Sequence, residues 1–125
     1  MRNSVLLVED LEDLLEMERI LVEKLCDRNA ITAKNLAEVM AHGDSALQCD
    51  LALIDINLGA GQPSGVEVYR WLRARGFGGR IFFLTGHAMN SPFVDEAVRL
   101  GDAQVLSKPI RPDRLIRLLR GEYEP

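Results

Sequence analysis

Cysteine is nearly missing from this sequence: Cys26 and Cys49 are the only two among 125 residues. Two thiols build neither a disulfide framework nor a cysteine-based zinc site, and their scarcity points to a reducing compartment, by default the cytoplasm. Positive charge is also short. Fifteen Lys+Arg against nineteen Asp+Glu leave a net charge of −4, which argues against nonspecific attraction to phosphate backbones or anionic membrane, and so against direct nucleic-acid binding. No apolar run approaches the length of a membrane span. The first ten residues, MRNSVLLVED, carry four apolar residues in a row before acids intervene, too few for a signal h-region. Repeats and low-complexity tracts are missing too. What remains, 47% hydrophobic and 27% charged residues, is a globular composition of a length suited to one domain over residues 1–125.

Short apolar runs alternate with helical patterns along the chain. Residues 5–8 (VLLV), 51–54 (LALI) and 81–84 (IFFL) are continuous and rich in branched or aromatic side chains, as strands buried on both faces are. Residues 30–33 (AITA) and 104–106 (QVL) are less apolar and suit strands nearer the sheet edges. A first helix is expected over residues 11–26, where Leu14, Met17, Leu21 and Leu25, with Leu11, Leu15 and Val22 beside them, form a stripe of helical period. Ser91-Pro92 opens a fourth helix running to about Leu100, the Ser capping and the Pro losing no hydrogen bond. Pro112 opens a last helix with Leu115, Leu118 and Leu119 on one face and Gly121 as its stop. Five strands each followed by a helix require right-handed crossovers. The compact α/β solution is a doubly wound parallel sheet, order 2-1-3-4-5, with five helices on both faces. Ligands in such sheets sit beyond the carboxyl ends of the strands, where strand order reverses between the first and third.

Those strand ends carry chemistry. The first delivers Glu9-Asp10, the third Asp55, the fourth Thr85 and the fifth Ser107-Lys108-Pro109. Three carboxylates converging at about 4–6 Å repel and raise one another's pKa unless a cation sits among them. Oxygen-only ligands select Mg²⁺ or a similar hard ion, which favours a further phosphate ligand. Lys108 adds fixed positive charge and Thr85 a hydroxyl, so the group around Asp55 forms a receptor for a phosphoryl group, with Asp55 itself available as nucleophile.

VLLVED, LALIDINL, FFLTG and SKP, in this order and spacing, resemble the receiver domain of two-component response regulators, of the chemotaxis-regulator kind, over nearly the whole chain. The resemblance implies a flavodoxin-like fold with Asp55 as phosphoacceptor. It implies that Asp10 and Asp55 ligate the metal directly, Glu9 through water and Asn57 by its backbone carbonyl. Thr85 would hydrogen-bond the phosphoryl oxygen and Lys108 would pair with it, the Lys108-Pro109 peptide being cis. The ion would be Mg²⁺, with Mn²⁺ as substitute. The implied partners are a sensor histidine kinase or a histidine phosphotransfer protein. Transfer from its phosphohistidine would be followed by slow hydrolysis, making the protein a switch that catalyses only its own phosphorylation and dephosphorylation. A homodimer through the fourth helix, fifth strand and fifth helix is a further expectation, as is the lack of an output domain after Gly121.

Several positions depart from the pattern. The segment from Asp55 to Gly65 is longer than usual, and Gly59 stands where relatives carry proline; a looser loop is expected there. Val105 replaces the Tyr or Phe that partners the Thr in switching. Gly86 keeps a small residue beside Thr85, and His87 occupies a position that tunes hydrolysis in relatives. Plainer readings apply elsewhere. Glu12, Asp13, Glu16 and Glu18 complement the dipole of the first helix, His42 lies in a polar loop, and Tyr69 and Trp71 pack the core. Arg111, Arg114, Arg117 and Arg120 form a solvated face, and both cysteines are ordinary small residues. Two rival functions remain. A pseudo-receiver would bind partners without phosphorylation. A phosphatase of the haloacid dehalogenase type would need an acid two residues after Asp55, where Asn57 stands.

Overall fold

The computed structural model describes residues 4–86, 92–108 and 110–120, apart from the side chain of Phe93. The readings placed on His87, Ser91, Pro109 and Gly121 therefore lie outside the described residues. Five parallel strands, β1 (Ser4–Val8), β2 (Asn29–Ala33), β3 (Leu51–Asp55), β4 (Arg80–Thr85) and β5 (Ala103–Ser107), form one sheet in the order β2-β1-β3-β4-β5, the expected order. Each expected strand is present and grows by one or two residues at its ends. The helices are α1 (Glu12–Ile20), α2 (Leu36–His42), α3 (Asp44–Leu47), α4 (Gly65–Ala74), α5 (Pro92–Arg99) and α6 (Pro112–Leu119).

Strand alternation sorts the core into two layers. Val5, Leu7, Leu51, Leu53, Phe82, Leu84 and Leu106 face one side, where Leu15 and Val22 of the first helix and Leu115, Leu118 and Leu119 of α6 cover them. Leu6, Val8, Ala52, Ile54, Ile81 and Phe83 face the other, under Val39 of α2, Val66, Tyr69 and Leu72 of α4, and Val94 and Ala97 of α5. Each such side chain, fully buried, contributes about 1.5–3 kcal/mol. β3 is buried at all five positions and β4 at all but its first, so the sheet centre is sealed on both faces.

Three local expectations are corrected. The first helix is not one α-helix over 11–26: Leu11 is the residue before it, and a π-helical turn, Leu21–Leu25, ends it, with Cys26 N bonded to Leu21 O at 3.2 Å. Its buried face is Leu15, Glu18 and Val22, whereas Met17 and Leu25 are exposed. Glu18 interrupts the true stripe, so counting apolar residues picks the neighbouring row. The second crossover holds two helices, because Gly43 takes φ +57° between α2 and α3, a left-handed conformation that ends the α-helix. His42 therefore closes α2 rather than lying in a loop, and its Nε2 sits 2.7 Å from Thr32 O.

Gly65 fixes how close α4 comes to the end of β3. A Cβ there would stand 2.3 Å from Asp55 O and 2.9 Å from both Ile54 Cγ2 and Ile56 Cα. Gly65→Ala is expected to cost about 2–3 kcal/mol in urea unfolding, against a change within about 0.5 kcal/mol for Gly78→Ala, where nothing lies within 4 Å. Equal midpoints for the two variants would refute the tight α4 contact.

Candidate functional site

The backbone ladder runs past the strand ends and carries the site with it. Glu9 N bonds Ala33 O at 3.0 Å, Ile56 N bonds Leu84 O at 2.9 Å, and Lys108 N bonds Thr85 O at 2.8 Å. With period two, Glu9 follows Leu7, Asp55 follows Leu53 and Lys108 follows Leu106. All three therefore belong to the α1/α6 side of the sheet.

Lys108 binds the two buried acids together. Its Nζ donates to Glu9 Oε1 at 2.7 Å and to Asp55 Oδ2 at 2.8 Å. The other oxygens are also engaged: Glu9 Oε2 accepts from Leu11 N at 3.2 Å, at the entrance to α1, and Asp55 Oδ1 accepts from Asn57 N at 3.2 Å. Glu9 is 1% exposed and Asp55 6%, so these donors replace the hydration that both carboxyl groups lose on burial. Burial works against the Lys108 charge, but the hydrogen bonds and charges of Asp55 and Glu9 outweigh it and hold the ammonium above its usual range.

Asp10 completes the cluster. One oxygen each from Glu9, Asp10 and Asp55 lies within 4.8 Å of the others. Burial, then the neighbouring Glu9, raises the Asp10 carboxyl, and burial with the Asp55 charge raises Glu9 despite Lys108. Three hard oxygen donors gathered this closely, with no nitrogen or sulfur ligand among them, are a donor set fitted to Mg²⁺ or a similar ion. The cluster opens into a cavity of about 350 Å³ lined by Asp10, Leu11, Asp55, Asn57, Gly59, Ala60, Gly86 and Lys108.

A family model for the response regulator receiver domain matches residues 5–120. The chain belongs to that family. No curated protein sequence matches it. Among solved structures, a CheY-like receiver domain from Methanospirillum hungatei superposes with a TM-score of 0.79 at 20% identity, covering 98% of this chain and 94% of that one. Chemotaxis protein CheY4 of Vibrio cholerae gives 0.78 at 22% identity, covering 98% and 100%. The receiver domain of NtrX from Brucella abortus gives 0.77 at 21%, covering 94% and 96%. At these identities the likeness is one of fold.

The receiver fold gathers Asp10, Asp55, Asn57, Gly86 and Lys108 at one cavity; Glu9 lies behind it, joined through Lys108, and Thr85 is not among its lining residues either. Thr85 is 1% exposed, and alternation after Ile81 and Phe83 assigns it to the α4/α5 side. Val105, in register with Phe83, packs on that same layer. Aromatic contact is nevertheless present there, since the rings of Tyr69 and Phe83 lie 5.9 Å apart. In the long loop, Gly59 has φ +109°, which proline cannot adopt. A Cβ there would stand 3.5 Å from Asp10 Oδ2. Turn bonds run from Gly59 N to Asn57 Oδ1 at 3.1 Å and from Gln62 N to Gly59 O at 3.2 Å. Among the described residues no helix is long and apolar enough to cross a membrane.

One acid near the site departs from its expected place. Glu18 does not sit on the solvated dipole face; it is 2% exposed, its Oε2 has no hydrogen-bond partner, and burial, reinforced by Glu9, pushes its carboxyl up to about 8. The signal in the sequence is the acid at position 18 of the row Leu11, Leu15, Glu18, Val22.

Asp10→Asn is expected to raise the urea midpoint of the metal-free protein at neutral pH. A carboxyl whose pKa is higher folded than unfolded destabilises the fold once pH exceeds the unfolded value, and most fully above the folded one. The gain should therefore vanish as pH falls below the ordinary carboxylate range. A lower midpoint for the variant at neutral pH would contradict the repulsion inferred for the cluster.

Proposed function

We propose that Asp55 is the phosphoacceptor of a two-component or phosphorelay switch, taking its phosphoryl group from a phosphohistidine on a sensor histidine kinase or histidine phosphotransfer protein. The observation that carries this reading is the Asp55 carboxylate, held between Lys108 Nζ and Asn57 N on the wall of an open cavity beside Asp10. The two hydrogen bonds fix its rotation, so the nucleophile meets the phosphorus without a search over side-chain orientations. A carboxylate oxygen attacks phosphorus and the P–N bond breaks. Its electron pair stays on the imidazole nitrogen, and Asp55 carries an acyl phosphate.

Lys108 is placed to follow the charge. As an Asp55 oxygen gives up its negative charge to bond formation, the ammonium transfers its attraction to a phosphoryl oxygen, while Glu9 retains its other hydrogen bond. Asp10, Asp55 and the Asn57 carbonyl, with Glu9 through water, would hold Mg²⁺, or Mn²⁺ in its place. When bound, the ion supplies charge that stabilises the phosphoryl oxygens in transfer. Water attacking phosphorus later breaks the bond to the Asp55 oxygen, releasing inorganic phosphate and returning the carboxylate. The protein thus turns over only on itself, in the cytoplasm where its kinase partner would act.

A signal requires the phosphorylated state to prefer a different arrangement. Thr85 is suited to carry it, because its side chain lies on the α4/α5 side while its backbone carbonyl binds Lys108 N. Drawing the hydroxyl toward the cavity would disturb the layer that Val105, Phe83, Val94 and Ala97 fill.

Acetyl phosphate with Mg²⁺ is expected to add one phosphoryl mass to the protein, EDTA to prevent it and Asp55→Ala to abolish it. A wild-type protein that stays unlabelled in intact mass spectrometry under those conditions would overturn the switch in favour of a phosphorylation-independent binding module.

A further inference from the structure

We propose that Glu18 is a buried auxiliary carboxyl of the acidic site, neutral while the cluster lacks a divalent cation and driven toward ionisation when it carries one, so that cation binding and Glu18 deprotonation reinforce each other. The proposal rests on the divalent-cation reading of the cluster and goes beyond it, since Glu18 is eight residues beyond Asp10 and is not among the residues that line the cavity.

Geometry carries it. Glu18 lies on the buried face of α1 between Leu15 and Val22, both members of the layer that Leu7, Leu53, Leu84 and Leu106 form on this side of the sheet. Glu9, Asp55 and Lys108 stand at the carboxyl end of the same layer. A carboxylate without a donor on Oε2 in such surroundings is costly, and protonation removes the cost. A Leu or Val there would avoid the cost altogether, so the acid needs a reason beyond packing.

The charged groups acting on Glu18 come from several elements. Burial is the largest influence and favours the neutral acid. Glu9, after β1, and Asp55, on β3, push the same way, while Lys108, after β5, pushes toward ionisation. From α6 the layer receives Leu115, Leu118 and Leu119, with Arg114 the half-buried cation of that helix. On the flanks, Glu16 and Glu23 pair with Arg19, and Lys34, following β2, pairs with Glu12. A divalent cation among Glu9, Asp10 and Asp55 reverses the field that those acids exert. Linkage then makes the effect mutual: a cation that eases ionisation of Glu18 binds more tightly once Glu18 is ionised.

The test is the Mg²⁺ dissociation constant of wild type and Glu18→Gln, measured calorimetrically from about pH 6.5 to about pH 9.5. Glutamine copies the neutral acid. The two proteins are therefore expected to bind alike at the lower end, and wild type to bind roughly tenfold more tightly at the upper end. Wild type should also release more protons per Mg²⁺ bound near pH 8, read from buffers of different ionisation enthalpy. Parallel profiles and equal proton release would overturn the role of Glu18 and leave the cation reading intact. Failure of both proteins to bind Mg²⁺ would overturn both. Urea midpoints confirm that the variant folds, and Glu18→Leu, also unable to ionise, must reproduce the Glu18→Gln profile.

Discussion

The Lys108 ammonium between Glu9 and Asp55 is the contact on which the site depends. Two carboxylates at the ends of adjacent central strands, each almost fully buried, repel each other and lose hydration. One cation hydrogen-bonded to both offsets part of that cost, and it is itself held by the β4–β5 ladder through its own N–H. The sheet therefore does more than support the acids. Its order brings β1 beside β3, and its register places the end of β5 where one side chain can span them.

Alternation along the strands then divides the labour. Glu9, Asp55 and Lys108 share the α1/α6 side with Leu7, Leu53 and Leu106, whereas Thr85 belongs with Phe83 and Val105 on the α4/α5 side. In the proposed switch, chemistry and response thus sit on opposite faces of one sheet, joined by the hydrogen bond from Lys108 N to Thr85 O. Val105 removes a ring from the response face, but Tyr69 and Phe83 keep that layer aromatic. Any movement of Thr85 has to work against their packing rather than against a hinged ring at the edge.

Strands and strand-end acids are legible in the sequence because both depend on short-range rules. A buried parallel strand is an uninterrupted apolar run, and the first polar residue after it marks the sheet edge, which is how Glu9, Asp55 and Thr85 can be named together; Lys108 stands one residue further on, after Ser107. The first helix departs from its expected form because its rule is one of rotation. Apolar residues occupy most of its circumference, Glu18 breaks the buried row, and the π-turn at Leu21–Leu25 rotates the end of the helix out of the α-helical phase. Helix periodicity cannot show a buried acid, since polarity is the very signal used to mark the exposed face. The Gly43 break is of the same kind, because a glycine among helix formers shows its positive φ only when the chain is built.

The charge balance of the cavity sets the order in which ligands can enter. Three acids gather there, and Lys108 is the one cation hydrogen-bonded to them among the described residues, through Glu9 and Asp55, so a fully ionised cluster carries negative charge in excess. In the proposed switch an incoming phosphoryl group, itself anionic, would meet net repulsion there unless positive charge had arrived first. Lys108 cannot supply it alone, because its single charge is already shared between Glu9 and Asp55. Gly59 bears on the same balance from outside: with φ +109° it lets the loop backbone approach Asp10 without a side chain over the carboxylate. Asp10 is also the least buried of the three acids, so in the proposed switch a cation would reach the cluster there with the smallest steric cost.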